Sequence, residues 1–121
     1  MTAWDSLGEE RVRSIVGALV DRMAGDFVIG FLFEGRDLAR IARHELELAR
    51  AHLGGPAAYG GRPLGEVHRP LKINRGHFRR RLSLLAIVLE EHGVPADLAR
   101  RWIDHEAALE SVISDGIECV P

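Results

Sequence analysis

The segment Leu53-Gly54-Gly55-Pro56-Ala57-Ala58-Tyr59-Gly60-Gly61-Arg62-Pro63-Leu64, running on through Glu66-Val67-His68, decides how this chain reads. It is too rich in glycine and proline for regular structure. Its flanks are helical. Upstream, Asp37 is an N-cap and a long helix runs from about Asp37 to Leu53, stopped by Gly54-Gly55-Pro56. Downstream, a short helical piece around Leu64 to His68 ends at Pro70. Asn74 then caps another long helix, about Arg75 to His92, with Phe78, Leu82, Leu85 and Leu89 on one face.

The same three-and-four spacing extends outward. Residues 9–24 place Val12, Ile15, Val16, Leu19, Val20 and Met23 on one helix face, and Gly25-Asp26 breaks it. Phe27 to Phe33 is short and aromatic; no partner strand appears elsewhere, so it reads as a short helix or turn. Gly93 ends the Arg75–His92 helix, and Pro95 opens a last one carrying Leu98, Trp102, Leu109, Val112 and Ile113 inward. The reading is all-α: one domain over residues 1–121, four substantial helices, with residues 1–6 and 116–121 expected to be loose.

Composition narrows the function. The 121 residues carry 16 basic and 18 acidic side chains, a net charge of −2, which argues against a dedicated nucleic-acid binder. The run Arg69, Lys72, Arg75, Arg79, Arg80 and Arg81 reads first as a solvated helix face. The longest apolar run, Phe27 to Phe33, is far short of a membrane span. Cys119 is the only cysteine, so no internal disulfide forms and a cytoplasmic location is expected. A monomer or weak homodimer is the expected state.

Six histidines are present, His44, His52, His68, His77, His92 and His105, with no His-Glu-x-x-His motif and no cysteine pair. Structural zinc is poorly served by that set. One imidazole on a short helix beside a glycine-rich loop suits a different task, ligation of haem iron from one side. His105, between Trp102 and Leu109, reads as a core or core-edge histidine; His52, His77 and His92 read as solvent-side or capping residues. Trp4 and Trp102 read as packing residues.

The loop with His68, followed by Ile73 and His77-Phe78, resembles the truncated haemoglobins, most closely their first group. Leu7-Gly8, Leu32-Phe33 with Asp37-Leu38, and Gly93-Val94-Pro95 extend the resemblance over roughly residues 4 to 113. The resemblance implies a two-over-two helical sandwich around haem b, His68 as proximal iron ligand, and binding of oxygen, nitric oxide or carbon monoxide. It implies an apolar haem wall drawn from Phe33, Leu64, Val67, Leu71, Ile73, Phe78 and Leu82, with Arg69 and Lys72 nearest the propionates.

On the distal side the resemblance places Val20, Ile41, His44 and Glu45. The family's usual tyrosine donor is replaced by Val20, which removes a hydrogen bond worth about 1–3 kcal/mol to a polar ligand. Nitric-oxide dioxygenation, a family activity, is lowered accordingly. His44 matches a position where some members hold a sixth iron ligand; with Glu45 it offers, alternatively, a distal acid–base pair. Leu38, Ala42 and Ala49 make an apolar stripe that includes Glu45, so its carboxylate needs a cationic partner or a raised pKa. Two rival functions follow: a peroxidase-like or biosynthetic haem enzyme served by an electron donor, and a haem-free helical interaction module.

Overall fold

The computed structural model describes residues 1–56 and 73–113, and every described element is helical. The chain opens with α1 (Ala3–Leu7) where a loose terminus was expected. A capping box explains it: Thr2 Oγ1 accepts from the Asp5 N–H at 3.1 Å and Asp5 Oδ2 accepts from the Thr2 N–H at 3.2 Å. Ala3, Trp4 and Leu7 then bury.

The next helix, α2 (Glu9–Ala24), buries Val12, Ile15, Val16, Leu19, Val20 and Met23, the six residues its spacing predicts. Full burial of such side chains contributes about 1.5–3 kcal/mol each, so this stripe outweighs any single ion pair in the molecule. The aromatic segment forms a 3₁₀ turn, Gly30–Phe33, in keeping with the short helix or turn expected there. It leaves Phe27 almost wholly exposed.

Helix α3 (Leu38–His52) starts as expected at Asp37, whose side chain accepts from the Arg40 N–H at 3.2 Å. Helix α4 (Arg75–Glu91) starts at Asn74, whose Oδ1 accepts from the His77 N–H at 2.8 Å while the Asn74 N–H donates to His77 Nδ1 at 3.2 Å. His77 is therefore a capping residue, as read. The last helix differs from expectation. It divides into α5 (Ala96–Ala107) and α6 (Glu110–Ile113) at Ala108 and Leu109. The break lets Leu109 turn onto a small apolar cluster of Ile73 and Phe78.

Helix α2 packs on α3 and α4, α4 on α5, and α3 on α5. The main core lies between them and includes Leu53, Leu85, Val88, Leu89 and Trp102. Arg11 Nη2 clamps the α4–α5 turn by donating to the carbonyls of His92 and Gly93, each at 2.9 Å.

The glycines after α3 have a structural use. Gly54 has φ +81°, open to glycine at no steric cost, and a Cβ there would also stand 3.2 Å from Thr2. A Cβ at Gly55 would come within 3.0 Å of the Trp4 ring and would overlap Arg50. The missing side chains seat α1 on the end of α3. The Trp4 N–H donates to the Leu53 carbonyl at 2.9 Å, and the Arg50 guanidinium lies 5.1 Å from the Trp4 ring centre.

Candidate functional site

The residues assigned to a haem-contacting wall come from three places. Phe33 ends the 3₁₀ turn, Ile41, His44 and Glu45 lie in the first half of α3, and Ile73 precedes α4, whose first half carries Phe78 and Leu82. Leu64, Val67, His68, Arg69, Leu71 and Lys72, with Tyr59, lie outside the described residues. Phe78 is 1% exposed and Ile73 is buried beside it. Leu32 packs against both this pair and the main core, so it joins the two clusters. Phe33, Leu38 and Ile41 at the edge of the main core and Leu82 at the edge of the Ile73–Phe78 pair are only half buried, although all are large and apolar. Val20 is fully buried on α2.

Glu45 has the cationic partner its position demanded. Arg81 meets it end-on: Nη1 donates to Oε1 at 3.1 Å and Nη2 to Oε2 at 2.6 Å. Nη2 donates also to Glu106 Oε1 on α5 at 2.9 Å, and Nη1 touches Met23 Sδ at 3.5 Å. Three helices and the inner face of a fourth thus meet on one guanidinium. The Arg81 and Glu45 side chains are only about one-sixth exposed or less, at 14% and 16%, and Glu106 at 3%. Burial opposes the Arg81 charge, but Glu106 and Glu45 hold its pKa above the usual arginine value. Glu106 moves the other way from an ordinary ion-paired acid: burial raises its pKa, against the pull of Arg81.

This overturns the reading of Arg81 as part of a solvated face. Its position answers for it, three residues after Phe78 and four before Leu85 on the inward side of α4. Arg80, one residue earlier, points elsewhere and pairs with Asp26, Nη2 to Oδ1 at 2.6 Å. The hydrogen bond from Arg80 holds the Asp26 carboxyl below its usual pKa. Glu106 was missed altogether; four residues after Trp102, it falls on the buried face of α5 and was legible by spacing.

Two histidines also change places. His52, read as solvent-side, is 8% exposed, because it ends the inward stripe of α3 one turn beyond Leu48. Its Nε2 lies 3.9 Å from Glu106 Oε1, and burial, reinforced by His105 and Arg81, lowers its pKa to about 4. His105, read as a core histidine, is exposed and sets its ring 5.4 Å from that of His52. Helix α5 turns Trp102 and Glu106 inward, which leaves the intervening position outward. His44 is half exposed, with Nδ1 3.6 Å from Glu47 Oε2 one turn along α3. His92 closes α4 with Nδ1 2.9 Å from the Val88 carbonyl.

Chemically, the arrangement gives a rim of half-buried apolar side chains at Leu32, Phe33, Leu38, Ile41 and Leu82 and a largely buried ionic cluster of Arg81, Glu45 and Glu106. Half-buried apolar faces of this kind fit a flat apolar macrocycle, which would complete their burial. None of the described helices is long and apolar enough to cross a membrane.

Comparison with known proteins agrees with this geometry. The family model described as bacterial-like globin matches residues 2–114. A group 1 truncated hemoglobin from Nostoc sp. (strain MUN 8820) is 30% identical over 113 residues, covering 93% of this chain and 96% of that protein. The fold matches the crystal structure of truncated hemoglobin from Tetrahymena pyriformis, Fe(III) form, with a TM-score of 0.87 at 21% identity, over 94% of this chain and 98% of the other. It also matches the 2/2 hemoglobin from Synechococcus sp. PCC 7002, solved in the cyanomet state with covalently attached heme, at a TM-score of 0.85 and 20% identity, over 93% and 95% of the two chains. The all-α, two-over-two truncated globin architecture anticipated from the sequence is the fold observed.

Proposed function

The chain belongs to the bacterial-like globins, as a truncated globin most similar to group 1, and from that premise we propose that it holds haem b and binds oxygen, nitric oxide or carbon monoxide at the iron. A haem cofactor and gas binding follow from the family; haem b and the ligating residues are our reading. His68 is the proximal ligand in this reading. It lies outside the described residues but inside the span matched by the family.

The observation that carries the reading is the half-buried apolar rim. Phe33, Leu38 and Ile41, packed on the main core, and Leu82, packed on the Ile73–Phe78 pair, each leave apolar surface uncovered, and Leu32 touches both clusters. Haem, when bound, supplies the iron at which a diatomic gas binds. The chain's own residues exclude water from its faces and fix its orientation. Ile41 and Val20 offer no hydrogen-bond donor, so ligand discrimination on the distal side rests on size and dryness more than on a donated proton. The carboxylate of Glu45 is engaged at both oxygens by Arg81, which supports gas binding over acid–base turnover through Glu45. Arg69 and Lys72 are proposed to pair with the propionates, and His44 remains the candidate sixth ligand.

The test is an absorption spectrum of haem-loaded protein, ferric and ferrous, for the wild type, His68→Ala and His44→Ala. Retained Soret intensity in wild type with its collapse in His68→Ala is the expected result. A ferric low-spin spectrum that turns high-spin in His44→Ala would assign the sixth ligand. An unchanged spectrum in His68→Ala would overturn the proximal assignment, and failure of the wild type to take up haem would return the haem-free interaction module.

A further inference from the structure

Among the described residues, the ionic cluster around Arg81 holds more negative than positive charge. Arg81 contributes one positive charge, while Glu45 and Glu106 both approach it as carboxylates. His52 adds nothing to the positive side, being neutral at physiological pH. No cationic group reaches the cluster from α2, which presents Met23 there. His105 meets the far side of His52, not the carboxylates. Two carboxylates on one buried guanidinium leave an uncompensated charge in a low-dielectric setting, and proteins neutralise such a charge rather than bear it.

The hydrogen bonds say which group is neutralised. Glu45 uses both oxygens on Arg81. Glu106 uses only Oε1; its Oε2 is inaccessible to solvent and accepts no hydrogen bond. The Trp102 indole N–H, also inaccessible, draws the Glu106 pKa down, but less than burial raises it, and reaches no full hydrogen bond; Arg81 Nε–H makes none. An ionised Oε2 would be a bare half-charge in the interior, on a side chain only 3% exposed. We propose that Glu106 is a proton store: at neutral pH it is an uncharged carboxylic acid with its proton on Oε2, and Arg81 and Glu45 form the charged pair. Burial acts in the same direction on Glu106.

The proposal is independent of the haem reading and is tested by infrared spectroscopy on the purified full-length protein at neutral pH, in whichever haem state it folds. The difference spectrum between wild type and Glu106→Gln should contain the carbonyl stretch of one protonated carboxyl in wild type only. Glu106→Gln, a neutral isostere, should melt no lower than wild type. Glu45→Gln supplies the second arm. With one carboxylate removed, Arg81 balances Glu106 alone, so the protonated-carboxyl band should vanish although Glu106 is still present. Absence of the band in wild type would overturn the proposal, as would a markedly lower melting temperature in Glu106→Gln. Persistence of the band in Glu45→Gln would overturn the charge-counting argument beneath it.

Discussion

Arg81 and Glu45 stand 36 residues apart in sequence and meet as a two-bond fork, with N···O distances of 3.1 and 2.6 Å. The fork lies between α3 and α4, and its second carboxylate, Glu106, brings in α5. A partnered guanidinium buried in this way is sensitive to loss of either side.

Arg81→Met should therefore destabilise the protein by about 3–5 kcal/mol, because it strands a buried carboxylate. Adding Glu45→Leu and Glu106→Leu to the same chain should restore most of that loss by closing the interior with apolar groups. Urea denaturation of the single and triple variants decides it. A triple variant no more stable than the single one would mean that the charges themselves, and not their balance, hold the three helices.

Acid should weaken the fold through His52. Its folded pKa, about 4, lies below the ordinary value of 6.5, so the unfolded chain binds more protons between those limits. Its contribution is complete above pH 6.5 and is lost as pH falls toward 4, by roughly 3 kcal/mol in all. Glu106 acts in the opposite sense, since a raised folded pKa costs stability as pH rises above the ordinary carboxyl range. The two separate in a comparison: His52→Phe should show a flatter loss of melting temperature from pH 6.5 to 4 than wild type. Parallel curves would remove His52 from the account.

The seat of α1 makes a steric prediction. Gly55→Ala places a methyl group against Trp4 and Arg50 and should cost about 1–3 kcal/mol through overpacking. Gly54→Ala, at φ +81°, should cost about 1–2 kcal/mol for its left-handed backbone alone. Differential scanning calorimetry gives the sizes. Trp4 emission should shift red in the Gly55 variant and stay unchanged in the Gly54 variant if α1 is lifted only in the first.

Val20 tests the distal reading. In haem-loaded protein, Val20→Tyr restores a hydroxyl donor and should slow oxygen release about tenfold to a hundredfold. Stopped-flow displacement by carbon monoxide measures it. An unchanged release rate in a correctly folded variant would mean that position 20 does not face the ligand.

Much of this was legible in the sequence, and the reasons differ by element. The α2 stripe was exact because six apolar residues at helical spacing have one way to face a core. Asp37 and Asn74 were readable as caps because their side chains complete a local hydrogen bond that depends on no distant partner. Glu45 needed a partner by its position, but nothing local named Arg81. Within three consecutive arginines, composition suggests one solvated surface, and only tertiary contacts separate them. His52 and His105 exchanged roles for the same reason: their exposure depends on which face of α5 meets α3, and periodicity carries no crossing angle. The break at Ala108 was hidden because Leu109, Val112 and Ile113 continue an apolar spacing that a turn also satisfies.

The neighbouring arginines of α4 have one more consequence. Arg80 is matched to Asp26 and Arg81 to Glu45 and Glu106, on directions about 100° apart around the helix axis. A slip of α4 by one residue in one direction would turn Leu82 to Glu45 and Glu106 while Arg81 replaced Arg80 at Asp26; in the other direction Arg80 and Arg79 would fill the two places. The run of three arginines keeps a cation at Asp26 in either case, so the electrostatic penalty on misdocking this helix falls in one direction only, at the two carboxylates that would meet Leu82.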